Sequence, residues 1–253
     1  MIFRIHVLFV TAAIFVGASW PTTRLTAQEP PVQVSLRFLF LDETPGAYSV
    51  KLAKGFRVLS HSPYQIGNPV TAKPEAHLEL YKDSPAPDPV TGKIIPVKIA
   101  TVTAPGNTPS SLVVLTPRTR EPGSTTPPVY DIAFFNSDPA AFPARSIRIL
   151  NLGQATLAAR FGDTQTVVQP GTSQVRLLSA DHRNRVFSKI AVQTPAGWKL
   201  LYDNTLIVRP ETRLTGIFVY SANGLRYTYT PDELAEYGNP PPGHFWLTYA
   251  DTP

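Results

Sequence analysis

Residues 35–41 read Ser-Leu-Arg-Phe-Leu-Phe-Leu, and residues 146–152 read Ser-Ile-Arg-Ile-Leu-Asn-Leu. The second stretch repeats the pattern of the first 111 residues further along, counted from position 35 to position 146. In both stretches a central arginine stands between apolar residues, as in a β-strand whose side chains alternate between two faces. A repeat at this distance indicates two copies of one domain-sized folding unit rather than one catalytic body.

The later part of each copy follows a second shared pattern. Gly92–Leu115 and Gly197–Tyr220 both predict two strands, a proline turn and a third strand, and Pro105 and Pro210 lie 105 residues apart. The chain has 27 prolines among its 253 residues, above the usual level of about 5%. Short runs of β-branched and aromatic residues between Pro, Gly and Asn clusters are typical of strands and turns.

These patterns predict an all-β fold with two tandem Ig-like antiparallel β-sandwich domains, followed by a short C-terminal helix and tail. In the first copy we predict strands near 33–41, 47–52, 55–60, 76–82, 93–103, 110–116 and 129–135. In the second copy we predict them near 145–152, 156–161, 165–168, 173–178, 187–193, 197–202, 205–208, 214–221 and 224–229.

The N-terminus predicts export. Residues 1–27 combine an early arginine with the apolar run 7–20, followed by small residues, which is typical of a signal peptide cleaved after Ala18 or Ala27. The alternative is an uncleaved N-terminal anchor. The absence of cysteine excludes a lipid-anchored lipoprotein, and no second apolar run is long enough to span a membrane. We therefore expect a periplasmic or extracellular protein without a transmembrane segment once the signal is removed.

The predicted organisation is a signal peptide at 1–27, a first sandwich at 28–141, a second at 142–230, and a tail at 231–253. An Asn-Gly turn at 223–224 predicts a hairpin between the strands at 217–220 and 225–230. In the first copy the equivalent turn is inflated to a mobile, Pro-rich loop at 117–128. In the tail, a capping box at 230–233 predicts a helix over 231–237, and His244–Tyr249 predicts a last strand packed on the second domain.

Signatures of catalysis and of metal or cofactor binding are weak in this sequence. It has no Gly-x-Ser-x-Gly motif, its histidines are far apart, and its acidic pairs lack calcium-loop spacing. Paired carboxylates that meet only in space leave a hydrolase open. The mature chain keeps 21 of the 23 basic residues, having lost Arg4 and Arg24, against 18 acids, which is too small an excess to indicate nucleic-acid binding. We therefore predict no catalytic, metal or cofactor residues.

Candidate interaction residues fall in two places. Arg183 and Arg185 lie in the densest polar run, where they could contact an acidic partner or simply form a solvated turn. Tyr237 and Trp246 belong to an aromatic-rich C-terminal quarter that could stack on sugars, anchor a partner, or form core beneath the tail. The repeated arginines of the two opening stretches are expected to point out of the core and keep a strand face soluble.

The Arg-[Phe/Ile]-Leu-x-Leu pattern, the Pro170-Gly171 turn and the late strand–Pro–strand element resemble secreted bacterial Ig-like β-sandwich repeats of unknown function. The resemblance covers residues 33–230, implies a cell-envelope or extracellular module and transfers no site residues. The leading hypothesis is an exported, non-enzymatic module for envelope interaction or assembly with a protein partner. The alternatives are a carbohydrate-binding module that uses a Tyr/Trp surface, and a hydrolase with an interdomain cleft.

Overall fold

The computed structural model describes residues 33–42, 46–84, 86–118, 129–221 and 243–251, and every regular element in these ranges is a β-strand. The predicted signal peptide, the predicted strand at 224–229 and the predicted helix at 231–237 lie outside the described residues. Most of the predicted loop 117–128 lies outside them as well.

In the described ranges, eight strands arranged in two four-stranded sheets form the first sandwich. The strands are β1 (Val34–Phe40), β2 (Tyr48–Leu52), β3 (Gly55–Ser60), β4 (Val70–Ala72), β5 (His77–Asp83), β6 (Pro96–Thr103), β7 (Ser110–Pro117) and β8 (Tyr130–Asn136). The order β4-β1-β7-β8 forms what we call inner sheet 1, and the order β3-β2-β5-β6 forms outer sheet 1.

The second sandwich repeats this arrangement strand for strand. Its strands are β9 (Ser146–Asn151), β10 (Leu157–Phe161), β11 (Thr164–Val168), β12 (Ser173–Leu177), β13 (Arg185–Thr194), β14 (Gly197–Ile207), β15 (Arg213–Ser221) and β16 (Gly243–Ala250). Inner sheet 2 has the order β12-β9-β15-β16, and outer sheet 2 has the order β11-β10-β13-β14. The prediction of an all-β fold with two tandem β-sandwiches is therefore confirmed.

The predicted and observed strands differ in several respects, and β4 was not predicted at all. β16, the last described strand, pairs antiparallel with β15 along its whole length, and the Asn-Gly turn predicted at 223–224 lies outside the described residues. β14 is one continuous strand across the two segments predicted at 197–202 and 205–208. β1 and β9 run parallel to β7 and β15, so each inner sheet contains one parallel pair in an otherwise antiparallel arrangement.

The apolar alternation of each opening strand determines what it faces. In β1, Leu36, Phe38 and Phe40 belong to the core between inner sheet 1 and outer sheet 1. Leu39, from the other face of the same strand, belongs to a separate apolar cluster with Leu150 of β9. A strand that is apolar on both faces is typical of a sheet covered on both sides.

Three apolar layers therefore separate four sheets. The first lies within the first sandwich and the second within the second sandwich. The third lies between the two inner sheets and consists of Leu39, Leu41, Leu112, Val114, Leu150, Ile217, Val219 and Phe245. The two sandwiches belong to one compact unit, residues 32–253, and they pack inner sheet against inner sheet.

Candidate functional site

The predicted arginine pair lies where the exposed turn after β12 leads into β13, with Arg183 in the turn and Arg185 as the first residue of β13. The Asp181 carboxylate accepts hydrogen bonds from the backbone N–H groups of Arg183 and Arg185, at 2.8 and 2.9 Å. It also accepts a bond from Arg185 Nε at 2.9 Å. These bonds to Arg185 and Arg183 stabilise the carboxylate and lower the pKa of Asp181 to about 2. The Asp181 carboxylate thus bonds to the backbone of its own turn, and the Arg185 side chain forms an ion pair with Asp181.

The two predicted aromatic residues have different positions. Tyr237 lies outside the described residues. Trp246 lies in β16 opposite Phe218, packs partly buried against the core of the second sandwich, and covers Gly216 of the neighbouring strand. Its indole nitrogen is buried without a hydrogen-bond partner. The ring of Trp246 therefore contributes mainly to packing between β15 and β16.

A row of apolar side chains crosses the outer face of outer sheet 2, and sequence reasoning did not identify it. Val167, Ala158, Ala191 and Leu200 are cross-strand neighbours on four adjacent strands, and we call them the apolar row. Leu200 is 53% exposed and Val167 45% exposed at its two ends. Trp198 lies two residues from Leu200 on the same face and is also 53% exposed. The two alanines form a shallow floor between larger apolar groups.

The equivalent row on outer sheet 1 is mixed in character, with Val58, which is 42% exposed, at one end and a lysine at the other. There the cross-strand neighbours are Val58, Ser49, Tyr81 and Lys98. Lys98 forms an ion pair with Glu79 at 2.6 Å, which lowers the pKa of the glutamate and raises that of the lysine. A β-bulge at Leu80/Tyr81 in the first sandwich and at Ile190/Ala191 in the second fixes the equivalence of the two rows. The two copies thus share a backbone and differ in the chemistry of this face.

A buried ionic cluster joins the two inner sheets. The Asp251 carboxylate is fully buried and forms ion pairs with Arg37 of the first sandwich and, at 3.1 Å, with Arg148 of the second. Arg213 Nε donates to the Asp251 backbone carbonyl at 3.3 Å. We call Arg37, Arg148, Arg213 and Asp251 the interdomain cluster.

The linker between the sandwiches completes this cluster. Arg148 donates to the Asn136 carbonyl at 2.9 Å and to the Ser137 hydroxyl at 3.2 and 3.3 Å. The guanidinium groups of Arg148 and Arg213 lie 4.4 and 5.3 Å from the ring centre of Phe142, which is fully buried. Cation–π contacts of this kind stabilise a desolvated guanidinium. The linker is therefore packed against the arginines.

Burial dominates the electrostatics of the interdomain cluster. Desolvation lowers the pKa of Arg148 to about 10, opposed by the charge of Asp251 and reinforced by the charges of Arg37 and Arg213. At neutral pH Arg148 stays charged. The single carboxylate of Asp251 thus lies among three guanidinium groups and offsets part of their positive charge.

The prediction for the repeated arginines was half wrong. Arg37 and Arg148 do point out of their own sandwich cores, but the faces that carry them are covered by the other sandwich and are not solvated. Strand alternation indicates which face a residue takes, and it does not reveal what covers that face.

The contacts across this interface are nearly symmetric between the two copies. Ser137 follows β8 and Asp251 follows β16, and their backbone N–H groups make equivalent bonds to the carbonyls of Ser110 and Arg213. Arg37 reaches Asp251, and the equivalent Arg148 reaches Ser137. The interface is therefore arranged like the self-complementary contact of a symmetric dimer.

A second buried ionic group lies inside the first sandwich. Lys82 Nζ is 2.7 Å from Asp42 Oδ2, and the Tyr130 hydroxyl donates to the same oxygen. Lys82 Nζ also lies 5.1 Å from the ring centre of Tyr48, which stacks on Phe40. Burial, together with the negative charge of Asp42, raises the pKa of the Tyr48 hydroxyl. The Lys82–Asp42 pair is thus enclosed by aromatic core.

Within the described ranges, no three His, Asp or Glu side chains are close enough together to hold a metal ion. None of the elements in these ranges is a helix of membrane-spanning length and apolarity. Comparison of the chain with protein-family models and with curated proteins gives no match in either set. The functional conclusion therefore depends on the surfaces and clusters described above.

Proposed function

We propose that the mature chain is an exported, non-enzymatic interaction module of the cell envelope, and that it binds a protein partner through the apolar row and Trp198. The observation that carries the proposal is the contrast between the two copies. Two sandwiches of the same topology have Lys98 and Leu200 at equivalent positions of their outer faces. Because the first copy folds with serine, tyrosine and lysine at three of the four equivalent positions, the fold does not require the apolar row of the second copy.

The composition of this face favours a protein partner. Exposed aliphatic groups around a shallow alanine floor can be buried by a complementary apolar surface, and a tryptophan at the end of the row suits an anchor of such a contact. Lys189 and Asp203 form an ion pair at 2.9 Å on the same face and supply a polar rim. Sugar binding through the Trp198 ring is the competing interpretation.

The face is favoured over the strand edges as the binding element. β6 and β14 are edge strands of the outer sheets, and each contains a bulge at the equivalent place, with Ile99 and Leu201 as the extra residues. Bulges turn an edge away from further pairing. Strand addition at these two edges is therefore disfavoured.

The hypothesis of a hydrolase with an interdomain cleft finds little support. The surface between the inner sheets is filled by eight buried apolar residues and by the interdomain cluster. A packed apolar layer of this kind favours an interface between the sandwiches over a substrate cleft. Export is supported by the signal-peptide pattern of residues 1–27, and an envelope role is what the resemblance to secreted Ig-like repeats implies.

The experiment compares two matched charge insertions. Leu200→Lys gives the second copy the residue of the first at the equivalent position, and Val58→Lys places the same charge on outer sheet 1. Both variants are exported, cross-linked in their own cell envelope and analysed by mass spectrometry. We expect Leu200→Lys to lose the protein partner and Val58→Lys to keep it. Equal recovery with both variants would contradict the proposal, and quenching of Trp198 fluorescence by polysaccharide would favour the glycan alternative.

A further inference from the structure

The buried pair in the first sandwich brings a nucleophile next to an acyl carbon. Lys82 and Asp42 are each 7% exposed, and Lys82 Nζ lies 2.7 Å from an oxygen bonded to the Asp42 carboxyl carbon. Lys82 belongs to β5 of outer sheet 1, and Asp42 follows β1 of inner sheet 1. A covalent bond between these side chains would tie the two sheets of the sandwich together.

The second sandwich shows that the fold does not need this pair. The strand registers place Gly153 at the position of Asp42 and Val192 at that of Lys82. The same registers place Leu157 at the position of Tyr48. A buried ion pair is often no more stabilising than apolar residues of similar volume. The sandwich fold therefore does not require Lys82 and Asp42, and their presence in the first copy has to be explained separately.

The surroundings favour condensation of the two groups. Condensation of an ammonium with a carboxylate replaces two buried charges with a neutral amide and water, and buried charge is costly. The lysine amine is the nucleophile of this step. Two reacting groups held in contact react with an effective molarity of roughly 10⁵–10⁸ M when they are well aligned.

We propose that Lys82 and Asp42 become joined by an amide bond after the first sandwich has folded. The Nζ–Cγ bond forms first and gives a tetrahedral intermediate, from which the Cγ–Oδ1 bond then breaks. Nζ gives two of its three protons to Oδ1, which leaves as water, so the step needs no oxidant, reductant or added group. The Tyr130 hydroxyl donates to Oδ2 and stabilises the negative charge that develops there in the tetrahedral intermediate.

Such a bond would be a covalent cross-link within the first sandwich. The sequence has no cysteine and can form no disulfide. An amide between positions 42 and 82 closes a loop of the first sandwich and resists both reduction and unfolding. The inference does not depend on the proposed docking function, because it concerns a different sandwich and a different readout.

The experiment is mass spectrometry of the purified full chain. We expect the intact protein to be lighter than its sequence by one water molecule, and a proteolytic digest to contain a branched peptide that joins Lys82 to Asp42. Lys82→Met should restore the full mass, and Tyr130→Phe should slow formation of the bond. The control Lys98→Met removes an exposed lysine of the neighbouring strand and should leave the mass deficit in place.

The wild-type digest decides the question even if a variant fails to fold. Recovery of Lys82 and Asp42 only in separate linear peptides after prolonged incubation of the folded protein would overturn the proposal. A mass deficit that persists in Lys82→Met would also overturn it, because the water would then be lost elsewhere.

Discussion

Asp251 is the residue on which the junction between the sandwiches most depends. It is the one carboxylate of the interdomain cluster, and it contacts arginines from both copies. Removing one partner of a buried ion pair leaves an uncompensated buried charge, which is far more damaging than losing an exposed pair. The sequence gives no sign of this role, because Asp251 lies 214 residues from Arg37.

We predict that Asp251→Ala lowers the free energy of unfolding by about 3–5 kcal/mol. Three guanidinium groups would then face one another without a carboxylate. Chemical denaturation measures the change. The matched control is Asp163→Ala. The Asp163 carboxylate is fully exposed and lies 3.9 Å from Arg160, which is a long distance for an ion pair, so we expect this substitution to change the free energy of unfolding little. Equal effects of the two substitutions would contradict the role assigned to Asp251.

At the scale of the element, the pairing of β15 with β16 depends on a close contact between a glycine and a tryptophan. A Cβ atom at Gly216 would lie 2.2 Å from two atoms of the Trp246 ring. Gly216 also pairs with Ile149 on the other side of β15, so the strand cannot shift without disturbing β9. The glycine is therefore required by the tryptophan that packs on it.

We predict that Gly216→Ala destabilises the protein by about 1–3 kcal/mol, because the added methyl group overpacks the sheet. Thermal or chemical unfolding gives the value. Gly106→Ala is the control, since the three atoms nearest to its Cβ would all belong to the flexible side chain of Glu75, which can move aside. A Gly216→Ala variant as stable as the control would show that Trp246 is not held against this strand.

The elements also show how far sequence reasoning extends. The repeated opening motif correctly predicted two β-sandwiches, because alternation and turn residues are local signals. β4 was missed because a strand of three residues is too short to establish a period. β14 was divided in two because polar Asp203 and Asn204 interrupt the pattern, although Asp203 pairs with Lys189 on the exposed face. The parallel pairing of β1 with β7 depends on tertiary register, which no local pattern encodes.

The candidate site was less predictable than the fold. The apolar row draws one residue from each of four strands, so its members are neighbours only after the sheet has formed. The placement of Trp198 and Leu200 on the exposed outer face follows from the register of β13 against β14. The signal that could have found the row is a comparison of the two copies, position by position, once their strands are aligned.

For the whole molecule, the structure describes two sandwiches that share one apolar layer. Ile217 belongs to the layer between the inner sheets and is fully buried. Because this layer connects the two sandwich cores, we predict that the native chain unfolds in a single cooperative transition. A charge in the layer should uncouple the sandwiches.

The variant Ile217→Asp tests this coupling by placing a carboxylate among apolar groups, where its burial without a partner is strongly unfavourable. We predict two separate unfolding transitions in calorimetry and a larger radius of gyration in solution scattering. The exposed substitution Ile207→Asp, in the neighbouring outer sheet, should keep the single transition. A single transition in both variants would contradict coupling through this layer.

The central claim is that the second copy binds a protein through its outer face and that the first copy does not. The most direct measurement places a photoreactive amino acid at position 200 in one protein and at the equivalent position 98 in another, with irradiation in the intact cell envelope. The account predicts a discrete protein cross-link from position 200 and none from position 98. The same cross-links from both positions, or none from position 200, would contradict it.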